Sequence, residues 1–194
     1  MKGQVRGLVG DVGGTNARFA LVDQEGHIRF AKSFACQDYS SLAEIIETYL
    51  ASTAGKRRPT RAAIAVAGPV VDGEIQFTNL EWGVSETDLV VAFEFEAVSL
   101  LNDFAAQAIA APRLDPEDLR QVGPPIRGAA EAPIVVIGAG TGFGVAGLAR
   151  RPHNEVPIAT EGGHGAFAPC DEIEVEIWRR LKARYGRVSI ERVL

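Results

Sequence analysis

The chain has 194 residues, 46% hydrophobic and 23% charged, with 20 Lys and Arg against 25 Asp and Glu and a net charge of -5. These proportions exclude a disordered or collagen-like chain. The acidic balance, with no basic cluster larger than Lys56-Arg57-Arg58, argues against a nucleic-acid partner.

No apolar run approaches the ~20 residues needed to cross a bilayer, and the start MKGQVRGLVGDVGG has no apolar signal-peptide core. A cytoplasmic protein with no membrane partner is expected. Cys36 and Cys170 form no CxxC pair, so neither a disulfide framework nor a cysteine-rich zinc site is available. The 21 glycines exceed the usual share of about 7%, and their positions carry information.

Gly7 to Gly10, the run Asp11-Val12-Gly13-Gly14-Thr15-Asn16, and Ala17 to Asp23 read as strand, glycine-rich turn and second strand. Gln24-Glu25-Gly26 then turns the chain into a third strand, His27 to Phe34, completing an antiparallel meander. Leu42, Ile45, Ile46, Tyr49 and Leu50 keep the helical period, with Ser41 and Glu44 as a capping box and Gly55 as the stop. Ala62 to Ala67 is a short apolar run ended by Gly68-Pro69, expected as a strand covered on both faces. Ser85 and Asp88 open a helix reaching Phe93. Val98 to Leu101 is another strand, from which Asn102-Asp103 leads into an alanine-rich helix, Phe104 to Ala111, closed by Pro112. Strands alternating with helices argue an α/β domain with the meander at one edge of a mixed sheet.

Residues 112 to 133 are rich in Pro and Gly, with one short helix expected over Pro116 to Gln121 and Asp115 as its cap. The expected domains are therefore 1-111 and 112-194. Ile134 to Ile137 is a strand, Gly138-Ala139-Gly140-Thr141-Gly142 a glycine turn, and Phe143 to Ala149 a returning strand, so the second unit opens on the plan of the first. A helix over Ile173 to Tyr185 ends at Gly186. The second unit is shorter than the first, and a truncated chain is expected.

Glycine turns between strands let backbone N–H groups approach an anion, and Thr adds a hydroxyl. Neither turn is a GxxxxGK[ST] loop or a dinucleotide fingerprint, because no Lys follows and a strand succeeds each. Each could equally be a plain hairpin. A carboxylate at Asp11 beside phosphates implies an intervening Mg2+; the alternative is an Asx turn residue. Asp103 stands where a strand meets a helix start, as a general base toward a hydroxyl attacking phosphorus or simply as a helix cap. Glu161-Gly162-Gly163-His164 sets a carboxylate and an imidazole in a loop. Metal ligation at this spacing needs a helix that Gly-Gly disfavours, whereas a polyol would use both groups. Thr78-Asn79-Leu80-Glu81-Trp82 is either a sugar-lining segment or core.

The stretch GDVGGTNARFAL from Gly10 to Leu21, followed in order by TNLEW, LLNDFAAQA, GAGTGFGVA, EGGHGAFAP and RVSIERVL, resembles bacterial glucokinases of the hexokinase, actin and Hsp70-like ATPase superfamily. The resemblance implies two domains with ribonuclease H-like mixed sheets and helices on both faces, the second incomplete. It implies ATP phosphates on Gly10, Asp11, Val12, Gly13, Gly14 and Thr15, with a second contact from Gly138, Gly140, Thr141 and Gly142. It also implies glucose ligands at Asn102, Asp103, Glu161, His164 and Glu191, with Asp103 as catalytic base, transfer from Mg-ATP to the 6-hydroxyl, and a homodimer.

Two departures stand out. Gly165-Ala166 precede Phe167 where the family often has an acidic residue, and the Ser-Gly-Pro-Gly stretch and adenosine motif that follow RVSIERVL in the family have no counterpart. A non-catalytic sugar-binding fragment is therefore the alternative expectation. A sugar-responsive repressor is disfavoured, since only nine residues precede Gly10.

Overall fold

A computed structural model describes residues 5–53, 58–77, 80–125, 128–140 and 142–194. The chain divides into two compact units, one up to Asp103 and one from Phe104 to Leu194. The expected division at residue 111 falls later, because the helix after Asp103 groups with the second unit.

In the first unit, β1 (Val5–Val12), β2 (Asn16–Asp23) and β3 (Ile28–Ala35) form the antiparallel meander, and β4 (Arg61–Val66) and β7 (Ala97–Asn102) continue the sheet. The order is β3-β2-β1-β4-β7, with β1, β4 and β7 parallel. The hairpin β5 (Glu74–Gln76) and β6 (Gly83–Ser85) has strands of only three residues, too short for an alternating pattern to announce.

α1 (Leu42–Thr53) buries Leu42, Ile45, Ile46 and Tyr49 against a core that includes Leu8, Phe19, Leu21, Ile64 and Val66. Four positions at helical spacing therefore carry its packing. Its cap differs slightly from a simple box: Ser41 Oγ accepts from Glu44 N–H, but the Glu44 carboxylate reaches Ser40, taking its N–H at 2.7 Å. α2 (Glu86–Phe93) starts on Ser85, whose hydroxyl accepts from Asp88 N–H, and ends on Glu94 in the left-handed region.

The expectation that the strand from Ala62 is covered on both faces is not met. Burial in β4 alternates, with Ala62, Ile64 and Val66 inside and Ala63 exposed. The run was uniformly apolar only because its outward positions carry alanine.

In the second unit, β8 (Ile134–Ala139), β9 (Phe143–Arg151) and β10 (Asn154–Thr160) form a three-stranded antiparallel sheet. α3 (Asp103–Ala110) packs with Ala108 against Ala146 and Leu148 of β9. Strand β10 carries Pro157, which suits only an edge strand and disguised it in the sequence. The helix expected over Pro116 to Gln121 is a single 3-10 turn, Pro116–Asp118, with no side-chain cap from Asp115. α4 (Glu172–Tyr185) begins on Asp171, which accepts from Glu174 N–H, and stops at Gly186 with φ 73°.

Candidate active site

In the first unit, the parallel register pairs Val12 with Val66 and Val66 with Asn102. The last residues of β1, β4 and β7 therefore end abreast. With strands about 4.8 Å apart, the turn after β1 and the helix start after β7 lie about 10 Å from each other at one end of the sheet. This is the end at which open α/β sheets bind ligands.

The turn after β1 runs over Gly13, Gly14 and Thr15, closed by Gly13 N–H to Asn16 O at 2.9 Å. Gly14 and Thr15 are exposed at its tip. Cys36, fully buried, steadies the turn: its N–H donates to Thr15 O at 2.8 Å and its Sγ lies 3.6 Å from Gly13 O. Burial pushes the Cys36 thiol above its ordinary value of 9.0, so it remains a thiol.

Asp11 and Val12 lie within β1, not in the turn. Val12 is buried core, and Gly10 makes room for the Phe19 ring, since a Cβ there would sit 2.5 Å from Phe19 Cε1. Asp11 is exposed and pairs with Arg18, its cross-strand partner, at 3.2 Å.

At the end of β7, the Asn102 side-chain amide donates to Gly68 O at 3.2 Å and to Asp103 Oδ1 at 3.1 Å. Asp103 opens α3. Gly68 has φ 149° and would place a Cβ 3.1 Å from Ile75 Cδ1. Its carbonyl, an anchor for Asn102, carried no signal in the sequence beyond the strand-stopping Gly-Pro pair.

In the second unit, Gly138 lies in β8, and Gly140 N–H closes the turn on Gly142 O at 2.8 Å. Thr141 lies outside the described residues, as do Thr78 and Asn79 of the TNLEW segment and the helix stop Gly55. Trp82 is buried core against Phe77, ring centroids 6.0 Å apart.

Glu161, His164 and Glu191 come together although Glu191 is distant in sequence. His164 Nε2 is 3.6 Å from Glu161 Oε2, and His164 Nδ1 is 3.7 Å from Glu191 Oε1. The loop is pinned at several points. Gly162–His164 forms a 3-10 turn, Glu191 N–H donates to Gly163 O at 3.1 Å, and Ile190 N–H donates to Gly165 O at 3.1 Å. Arg187 donates to His164 O at 2.6 Å. Both Glu161 and His164 remain more than half exposed.

A separate acidic group, Asp23 with Glu25 and His27, has the spacing of a metal cluster. Asp23 already accepts His27 N–H at 2.8 Å and Arg29 Nε at 3.2 Å, which makes it the brace of the β2–β3 turn.

The glucokinase family model matches residues 8–194. The glucokinase of Caulobacter sp. (strain K31) is 51% identical over 191 residues, which cover 97% of this chain and 57% of that protein. A crystal structure of a glucokinase from an Antarctic psychrotroph is 37% identical with a TM-score of 0.80, covering 95% of this chain and 59% of that one. More distantly, a ROK family glucokinase from Streptomyces griseus, in complex with glucose and AMPPNP, shares the fold at 21% identity and a TM-score of 0.57, over 84% of this chain and 51% of that one. The chain thus spans somewhat more than half the length of the relatives it matches. With motifs, mixed-sheet fold and near-complete coverage of its own residues in agreement, this chain belongs to the glucokinase family.

Proposed function

We propose that this chain carries the catalytic half-sites of an ATP-dependent glucose kinase, transferring the γ-phosphoryl group to the sugar 6-hydroxyl. The observation that carries the reading is the register joining Val12, Val66 and Asn102. It puts a carboxylate, Asp103, and an exposed glycine turn, Gly13 to Thr15, at one end of one sheet, about 10 Å apart. In phosphoryl transfer the protein's task is positioning and charge stabilisation. Asp103 is the general base that accepts the hydroxyl proton, and Asn102 fixes the direction of its carboxylate.

In the first turn, closed by the Gly13 N–H, the donors for the polyphosphate are the amides of Gly14 and Thr15; in the second, closed by the Gly140 N–H, they are those of Thr141 and Gly142. Gly10 and Gly138 act as space for packed rings in this reading, and Val12 as the buried root of the first turn. Glu161, His164 and Glu191 mix donors and acceptors suited to a hexose, in line with the glucose held by the Streptomyces griseus relative. In this reading both units follow the ribonuclease H-like plan, the second of them in part.

Asp11, a single exposed carboxylate paired with Arg18, would be the residue to hold a Mg2+ ion beside the phosphates. When bound, that ion neutralises charge developing on the transferred group.

A second reading, a sugar-binding fragment without turnover, is favoured by the 57% coverage of the Caulobacter relative. Calorimetry with glucose and with AMPPNP separates the two. Binding of both ligands supports the kinase, and binding of glucose alone supports the fragment. A cytoplasmic setting and a homodimer accompany the kinase reading; no described helix is long and apolar enough to cross a membrane.

A further inference from the structure

The carboxylate of Glu191 touches two loops at once. Its Oε2 accepts the N–H of Phe143 at 2.8 Å, the first residue of β9 after the second glycine turn, while its Oε1 faces His164 Nδ1 at 3.7 Å. Its own N–H is tied to Gly163 O, so backbone and side chain of one residue hold the sugar loop and the turn respectively.

Two glycines are shaped to this contact. A Cβ on Gly142 would lie 2.6 Å from Glu191 Oε2, and a Cβ on Gly163 would lie 1.8 Å from Phe143 O. The first lets the carboxylate reach the Phe143 amide, and the second lets the Phe143 carbonyl nest against the sugar loop. Phe143 is therefore contacted at both its N–H and its carbonyl, and at Gly163, where the neighbour is backbone, only glycine allows the approach.

Resting on the sugar-site reading above, we infer that Glu191 is a positioning residue for the second glycine turn, and that a hexose bound at Glu161, His164 and Glu191 tightens that turn through this carboxylate. A sugar hydroxyl donating to Glu191 immobilises a side chain only about two-thirds buried. A more fixed acceptor makes the Phe143 amide open less often, and so orders the turn that meets the phosphates. The sugar and the polyphosphate then favour each other's binding, and linkage makes the effect reciprocal.

The test is residue-resolved amide hydrogen exchange on the full chain, with and without saturating glucose. Glucose binding is measured by calorimetry on the same samples. In the native chain, glucose is expected to slow exchange at Phe143 by about tenfold, the scale of one charge-assisted hydrogen bond. Glu191→Gln keeps an oxygen for the amide and should retain most of the protection seen without sugar. Glu191→Asp withdraws the carboxylate by one methylene; Phe143 should then exchange faster and cease to respond to glucose.

A merely structural role would speed exchange throughout β8, β9 and β10, whereas the inferred role confines the change to Phe143 and the turn. Glucose binding with no change at Phe143, an Asp variant that still responds, or a sheet-wide change overturns this inference while leaving the sugar site intact. Failure of the native chain to bind glucose overturns both.

Discussion

The side-chain amide of Asn102 lies 3.1 Å from Asp103 Oδ1 and 3.2 Å from the Gly68 carbonyl, and it donates to both. The carboxylate proposed as the base is thus aimed by its sequence neighbour, which is itself anchored to the loop after β4. Asn102→Ala should weaken glucose binding about tenfold, the scale of a hydrogen bond to a charged group. Calorimetry checks this against unchanged unfolding in urea.

Asp23 gives the fold an acid sensitivity. Burial acts to raise its pKa, but the His27 backbone N–H, the Arg29 guanidinium and the His27 side chain outweigh this and hold it below its ordinary 3.8. A lowered carboxylate pKa contributes stability above the unfolded value, and that contribution is lost as pH falls through the folded one. Asp23→Asn should therefore be less stable than the native chain at pH 7. The gap should narrow as the pH falls below the ordinary carboxylate range, as followed by urea midpoints across pH.

The two cysteines should differ in reactivity. Cys36 is buried with a raised pKa, while Cys170 is exposed. At pH 8 a thiol reagent should label Cys170 within minutes. Cys36 should react at least about a hundredfold more slowly, at the rate of the openings that expose it. Peptide mapping after timed labelling distinguishes them, and equal labelling would contradict the buried clamp on the first turn.

Phe104 sits where two glycines leave room for it. A Cβ on Gly144 would lie 2.0 Å from Phe104 Cε2, and one on Gly138 would lie 2.9 Å from Cζ. Gly144→Ala should cost about 1–3 kcal/mol by overpacking. Combining it with Phe104→Ala should cost less than the sum of the two single changes, by about 1 kcal/mol, because the clash is removed. Urea unfolding of the four proteins measures the cycle.

The elements carrying strong periodicity were legible before any coordinates. The meander, α1 with its four buried positions, the Ser85 cap, and the paired glycine turns follow from spacing and turn chemistry. What escaped was decided by tertiary context. β10 hid behind Pro157 because an edge strand tolerates what a central one cannot, and β5 and β6 are too short to show a period.

At the site, the sequence alone brought Asn102 and Asp103 together by adjacency. The approach of Glu191 to His164 depends on backbone bonds from Ile190 to Gly165 and from Glu191 to Gly163, which no local pattern encodes. Two glycines that suggested anion binding, Gly10 and Gly138, also leave room for aromatic rings. A missing Cβ reads the same in sequence whether a phosphate or a side chain fills its place.

The most direct test of the central claim is a coupled assay of ADP release by this chain with Mg-ATP and glucose, run beside Asp103→Asn. The account predicts glucose-dependent ADP release by the native chain. It predicts a loss of about 10²- to 10⁴-fold in the variant, the usual worth of a general base, with glucose binding retained. Equal rates for the two proteins, or no turnover by a native chain that binds both ligands, would contradict it.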